Sequence, residues 1–126
     1  MRELLESTAE RAIRYLEGLR SRNVAPGEDA IDEIARFDES MPEETKDSEL
    51  ILQMLDEIGS PASMATAGPR FYGFVIGGSL PVALAANWLA TAWDQNSALY
   101  QVTPATALIE QVALRWLLDL LTLPPE

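Results

Sequence analysis

The amino-acid sequence predicts a mainly α-helical protein of about five helices, with one short extended aromatic loop between the third and the fourth. Two observations support this fold class. Apolar residues recur at helical spacing in separate segments of the chain. Proline and glycine occupy the gaps between these segments, where helices ordinarily end.

The first three predicted helices are short and amphipathic. The first covers residues 3–21, the second and weaker one covers 29–37, and the third begins at a cap on Asp47 or Ser48 and runs through Ile58. None is apolar enough to be stable in water alone, so each needs a surface to pack on. The apolar stripe of the first helix comprises Leu5, Ala9, Ala12, Ile13, Leu16 and Leu19.

The segment 62–80 differs from these helices because small residues and glycines surround a short aromatic run, Phe71-Tyr72-Gly73-Phe74-Val75-Ile76. This composition is typical of an extended segment or a brief strand in a loop that approaches other backbone closely. The aromatic side chains can either line a substrate pocket or belong to the core. Composition alone favours the core.

The last two predicted helices are more apolar. Ser79 is expected to cap the fourth, with Pro81 in its first turn and its end near Gln95. Apolar residues cover almost its whole circumference, which is typical of a buried helix. Thr103 is expected to cap the fifth, with Pro104 at the first helical position. The stripe of the fifth helix comprises Ala105, Leu108, Ile109, Val112, Ala113, Trp116, Leu117, Leu120 and Leu121.

The charge is negative and unevenly distributed. The net charge of −11 argues against a nucleic-acid partner, because neutralising phosphates requires clustered Lys and Arg. Residues 1–60 carry sixteen acids and seven bases, whereas residues 61–126 carry four acids and two bases. We therefore predict two domains, an acidic N-terminal helical arm (1–60) and a part with the aromatic loop and two apolar helices (61–126).

Composition and hydropathy exclude further classes. The sequence has no cysteine and no histidine, which removes disulfides, thiol nucleophiles, imidazole bases and the usual zinc sites. Residues 71–93 are uncharged and nominally long enough to span a membrane, but glycines, a proline and Asn87 divide them into a loop and a short helix. No membrane partner is expected. The N-terminus lacks an apolar signal core, so we expect a cytoplasmic protein.

Two ordered blocks of sequence carry a family resemblance. The first, residues 59–96, contains Gly-Pro-Arg-Phe-Tyr-Gly-Phe-Val-Ile-Gly-Gly-Ser-Leu-Pro at 68–81. The second contains Thr-Pro-Ala-Thr at 103–106 and Ile-Glu-Gln-Val-Ala-Leu-Arg-Trp-Leu at 109–117, and ends at Leu123-Pro124. Together they resemble the N-terminal segment of group II pyridoxal-phosphate (PLP) amino-acid decarboxylases, which include aromatic-amino-acid, tyrosine and glutamate decarboxylases. Residues 1–58 fit only by their helical character and the connector Met-Pro-Glu-Glu.

The resemblance implies a fold, a partner and a site. The chain would be the N-terminal helical part of a fold-type I PLP enzyme, an obligate dimer whose active sites lie at the subunit interface. The aromatic run would wall the pocket for the side chain of an amino-acid substrate, and the segment Ala98-Leu99-Tyr100 would reach the active site of the partner subunit. The substrate-binding candidates are then Phe71, Tyr72, Phe74, Val75, Ile76, Gly77, Leu99 and Tyr100.

The sequence also departs from that family. Members carry a Schiff-base lysine preceded by a histidine, an aspartate at the pyridine nitrogen and a second histidine on the ring, all further along the chain. The only lysine here is Lys46, in Glu-Glu-Thr-Lys-Asp, where neighbouring carboxylates favour the charged ammonium that a Schiff-base lysine must lose. We therefore predict no catalytic residue, no covalently bound PLP and no activity for this chain alone.

The leading hypothesis is an N-terminal fragment of a PLP-dependent decarboxylase that supplies dimer contacts and part of the substrate pocket. The alternative is a stand-alone helical self-association module without catalysis. Both predict a homo-oligomer, with a dimer as the expected form, because the chain is too short to cover its apolar second half.

Overall fold

The computed structural model describes residues 1–96 and 99–124 and confirms a mainly helical fold. The second helix continues into a 3₁₀ turn, Ile34–Phe37, and the third into a π-helical turn, Leu55–Gly59. The five α-helices are α1 (Arg2–Gly18), α2 (Glu28–Glu33), α3 (Ser48–Met54), α4 (Pro81–Trp93) and α5 (Pro104–Leu120).

The chain forms two compact units, an N-terminal unit (Met1–Gly78) and a C-terminal unit (Ser79–Glu126). The domain division predicted after residue 60 rests on charge and composition, and it stays a prediction. In the described ranges no helix has the length and apolar character that crossing a membrane requires.

Ion pairs join α1 to α3 in the N-terminal unit. Arg11 lies at the centre of this cluster and donates to Glu49 at 2.7 Å and to Asp56 at 3.0 Å. Arg14 donates to Asp56 at 2.7 Å, and the Ser7 hydroxyl donates to Glu49 at 2.8 Å. Each acid therefore receives two donors from α1. The cluster fixes the approach of two helices that would not be stable separately.

The cluster also sets the protonation of its members. Hydrogen bonds from Arg11 and then Ser7 lower the pKa of Glu49. Burial alone would raise the pKa of Asp56, but hydrogen bonds from Arg14 and Arg11 outweigh it, and the pKa is lowered. Hydrogen bonds to Glu49 and Asp56 raise the pKa of Arg11. All three groups are therefore held in their charged forms.

The buried apolar residues of the N-terminal unit are few: Leu19, Ile58 and Ala65. The Ala65 amide donates to the Val24 carbonyl oxygen at 3.0 Å, which brings the segment after α3 against the segment after α1. Gly68 completes this approach, because a Cβ there would lie 3.3 Å from the Leu19 carbonyl oxygen and 3.1 Å from that of Ala65. A Cβ at this position would be tighter than an ordinary van der Waals contact unless the neighbouring backbone shifted by a few tenths of an ångström.

The N-cap residue was predicted correctly for α3 but not for α4. Asp47 caps α3 as expected, since its carboxylate accepts hydrogen bonds from the Glu49 and Leu50 amides. The prediction that Ser79 caps α4 was wrong. Leu80 occupies the N-cap position, without a side-chain hydrogen bond, and Pro81 begins the helix. Proline needs no partner for an amide hydrogen, so this helix starts with less need of a polar cap.

The two helices of the C-terminal unit are exposed. Neither α4 nor α5 contains a buried residue, although both consist largely of apolar residues. The expectation that α4 is buried is therefore not met within this chain. The exposed large apolar side chains of these two helices include Val82, Leu89, Trp93, Trp116, Leu117 and Leu120.

Candidate substrate-pocket wall

The aromatic run forms a tight turn at the end of the N-terminal unit. The Phe71 amide donates to the Gly68 carbonyl oxygen at 3.3 Å, which anchors the start of the run. The Ile76 amide donates to the Gly73 carbonyl oxygen at 3.2 Å and closes a four-residue turn. The rings of Phe71 and Phe74 stack with centroids 6.4 Å apart and planes at 27°. The stacking contact therefore joins the start of the run to the turn, and the hydrogen bond from Ile76 closes that turn.

The expectation of an extended segment or strand was wrong for this run. Phe74 and Val75 have φ angles of 56° and 55°, in the left-handed region. Two consecutive positive φ angles inside an i to i+3 hydrogen bond are the signature of a type I′ turn. Such turns favour Asn-Gly, whereas Val is β-branched and strained in this conformation. No turn motif in the sequence marks this position.

Most side chains of the run project into solvent. Tyr72, Phe74 and Val75 are each at least 80% exposed, and Ile76 is about half exposed at 48%. Gly77 is exposed, and Phe71 is half-buried. The alternative in which the aromatic side chains form the core is therefore wrong for Tyr72 and Phe74, and Phe71 is only partly covered. The turn presents an apolar surface with its base held by Phe71.

Leu99 and Tyr100, the other candidate residues, belong to the C-terminal unit and are both exposed. Ala98, the third residue of their segment, lies outside the described residues. The Leu99 carbonyl oxygen accepts hydrogen bonds from the Val102 amide at 3.1 Å and the Thr103 amide at 2.9 Å. A turn before α5 thus fixes the backbone that carries both side chains.

The prediction that Thr103 caps α5 was right about its position and wrong about its side chain. Thr103 is the N-cap residue, but its hydroxyl makes no hydrogen bond to the helix. It donates instead to the Asn96 carbonyl oxygen at 2.7 Å. The hydrogen bond of Thr103 to the preceding segment could not be predicted from the sequence, because Thr-Pro at a helix start is also the pattern of an ordinary cap.

The charged residues of the N-terminal unit offer little acid–base chemistry. A groove of about 450 Å³ lies beside α1 and is lined in part by Tyr15, Leu55 and Ser60, with Arg11 and Asp56 among its walls. A general acid near neutral pH needs a raised pKa, whereas that of Asp56 is lowered. Sequence reasoning missed this cluster, because its members lie far apart in the chain.

The single lysine is a surface residue, as predicted. The Lys46 ammonium forms an ion pair with Glu39, and its side chain is 41% exposed. The pairing partner lies on the same connector between α2 and α3. An exposed ion pair on a polar connector is the setting of an ordinary surface lysine.

Comparison with protein families identifies the larger group. The family model described as the pyridoxal-dependent decarboxylase conserved domain matches residues 31–126, well over half of the 126-residue chain. The match also covers residues 31–58, which resemble the family in sequence only by their helical character and the Met-Pro-Glu-Glu connector. No curated protein and no solved structure matches the chain. The chain belongs to the family of pyridoxal-dependent decarboxylases.

Proposed function

We propose that this chain is the N-terminal part of a PLP-dependent amino-acid decarboxylase, in which it supplies dimer contacts and one wall of the substrate pocket. The observation that carries the proposal is the exposed apolar turn at Phe74 and Val75 within the family-matched region. Burying one such side chain is worth roughly 1.5–3 kcal/mol, so a bound substrate or a neighbouring chain that covered the turn would gain affinity from it.

The proposed dimer contacts lie on α4 and α5. A soluble helix normally buries its apolar stripe, yet neither helix contains a buried residue here. Exposed apolar surface of this extent marks an interaction site. A second copy of the chain, with the same stripes, offers a self-complementary partner for it. Sedimentation of the purified chain should show self-association, and a monomer at all concentrations would contradict this part of the proposal.

The family implies PLP in the complete enzyme, but the residues of this chain do not fit a site for it. Lys46 is exposed and ion-paired to Glu39 on the surface. The sequence has no histidine to stack on the cofactor ring. When bound, PLP supplies the electron sink for the carbanion left by departing CO₂. We propose that the groups which hold it belong to another part of the enzyme, and that this chain orients the substrate side chain and excludes water.

Substitution of Ile76 tests the pocket wall in the complete enzyme. Ile76→Ala should raise KM for the amino acid about tenfold with little change in kcat, because the lost contact is made equally in the ground and transition states. Ile31→Ala is the matched control, since Ile31 on α2 is equally exposed at 50% and lies outside the turn. If the two variants have the same KM, the assignment of the turn to the pocket fails.

A self-association module without catalysis is the second candidate, and the exposed stripes of α4 and α5 favour it equally. A self-association module does not explain why the chain keeps a strained turn at Phe74 and Val75. The gene distinguishes the two. A reading frame that continues past Glu126 and encodes a His-Lys pair supports the decarboxylase, whereas a stop codon directly after Glu126 supports the module.

A further inference from the structure

The Thr103 hydroxyl forms its hydrogen bond with the segment before α5 and not with α5 itself. A threonine at the N-cap ordinarily accepts a hydrogen bond from an amide of the first helical turn. Here Oγ1 donates to the Asn96 carbonyl oxygen at 2.7 Å, and the Leu99 carbonyl oxygen lies 3.2 Å away. Thr103 is only 3% exposed. The buried Thr103 hydroxyl therefore contacts the carbonyl oxygens of Asn96 and Leu99 and makes no cap hydrogen bond to α5.

Further hydrogen bonds restrain the backbone next to Thr103. The Thr103 and Val102 amides both donate to the Leu99 carbonyl oxygen. The Thr106 hydroxyl donates to the Thr103 carbonyl oxygen at 3.1 Å, which ties Thr103 to the first turn of α5. Leu99 and Tyr100 are themselves more than half exposed. Backbone hydrogen bonds at the Leu99 carbonyl oxygen, rather than burial of the Leu99 and Tyr100 side chains, therefore restrain residues 99–103.

We propose that Thr103 is a positioning residue for Leu99 and Tyr100, holding both side chains at the geometry in which they meet the substrate. The inference rests on the proposed function, in which this segment reaches the active site of the partner subunit. Thr103 touches no reacting atom and acts through the backbone of the loop. Small misplacements of substrate-contacting groups are costly in catalysis, so a residue of this kind affects substrate binding from a distance.

Hydrogen exchange of the purified chain tests the positioning independently of activity. Thr103→Val keeps the shape and removes the hydroxyl, so the Val102 and Thr103-position amides should exchange about tenfold faster, in keeping with the loss of one hydrogen bond. Thr103→Ser keeps the hydroxyl and should exchange like the wild type. Unchanged exchange in the α5 interior shows that the helix remains formed. If Thr103→Ser exchanges as fast as Thr103→Val, packing of the methyl group holds the loop and the inference is overturned.

Kinetics of the complete enzyme then test the link to substrate. Thr103→Val should raise KM several-fold more than it lowers kcat, and Thr103→Ser should restore the wild-type KM. In a background that carries both Leu99→Ala and Tyr100→Ala, Thr103→Val should add almost nothing, since its effect passes through these two side chains. Effects that multiply in the triple variant would contradict a positioning role.

The two experiments separate the possible failures. If Thr103→Val leaves exchange of the loop unchanged, the role of Thr103 is wrong, whatever the pocket contains. If exchange accelerates and KM does not change, Thr103 holds the loop but Leu99 and Tyr100 do not reach substrate, and it is that part of the proposed function which fails.

Discussion

Arg11 Nη1 donates to Asp56 Oδ2 at 3.0 Å across forty-five residues of chain, and this bond joins α1 to the π-helical turn after α3. Both side chains are about four-fifths covered, at 21% and 20% exposed. The N-terminal unit has few buried apolar residues. Its stability therefore depends on this polar contact more than is usual for a helical pair.

The pKa values of Glu49 and Asp56 predict acid sensitivity. Both are lowered in the folded chain, so their contribution to the free energy of unfolding is complete above the unfolded-state values of about 4 and is lost as the pH falls through the folded-state values. Urea unfolding followed by circular dichroism should show stability decreasing below about pH 4. Arg11→Met should flatten this dependence, because both acids lose a donor.

Arg36→Met is the control for the same experiment. Arg36 pairs with Glu33 three residues away on an exposed surface, where ion pairs contribute little. We expect Arg36→Met to retain the pH dependence of the wild type. If Arg11→Met retains it as well, the cluster around Asp56 is not the source of the acid sensitivity.

Ile58 should be the most sensitive apolar position of the N-terminal unit. It is 3% exposed in the π-helical turn, so Ile58→Ala should lower the free energy of unfolding by about 2–5 kcal/mol through lost burial and a residual cavity. Ile13→Ala, on the exposed side of α1, should change it by less than about 0.5 kcal/mol. Urea midpoints of the two variants measure the difference, and equal midpoints would contradict the packing described.

Removing the cap of α3 should lower the free energy of unfolding less than Ile58→Ala does. The Asp47 carboxylate accepts hydrogen bonds from the Glu49 and Leu50 amides. Asp47→Ala should therefore cost about 1 kcal/mol of unfolding free energy, and Asp47→Asn much less, since asparagine also caps well. Equal losses in the two variants would indicate that charge, and not the cap, matters at this position.

Local sequence signals predicted much of the fold. Apolar spacing, caps such as Asp47 and first-turn residues such as Pro104 predicted the five helices, because these features act within one or two turns. The Arg11–Asp56 bond could not be predicted, since its partners meet only after α1 and α3 pack. The turn at Phe74 and Val75 was missed for a different reason: its residues are among the least favoured for left-handed backbone.

The turn at Phe74 and Val75 has strained left-handed backbone, which a glycine would relieve. Glycine adopts positive φ without steric cost, so Val75→Gly should make the turn more stable and slow hydrogen exchange of the Ile76 amide, which donates to Gly73. The gain should be about 1 kcal/mol, several-fold in exchange rate. Val75→Ala keeps a Cβ but removes the branch, and it should fall between the wild type and the glycine variant. Faster exchange in Val75→Gly would show that the left-handed turn is not the resting conformation.

We propose that this chain shapes the substrate pocket while the cofactor lysine lies elsewhere in the enzyme. Borohydride reduction of the complete enzyme with bound PLP, followed by mass-spectrometric peptide mapping, locates that lysine directly. We expect stoichiometric attachment to a lysine beyond Glu126 and an unmodified Lys46, which is ion-paired to Glu39 on the surface. Stoichiometric attachment of PLP to Lys46 would contradict it.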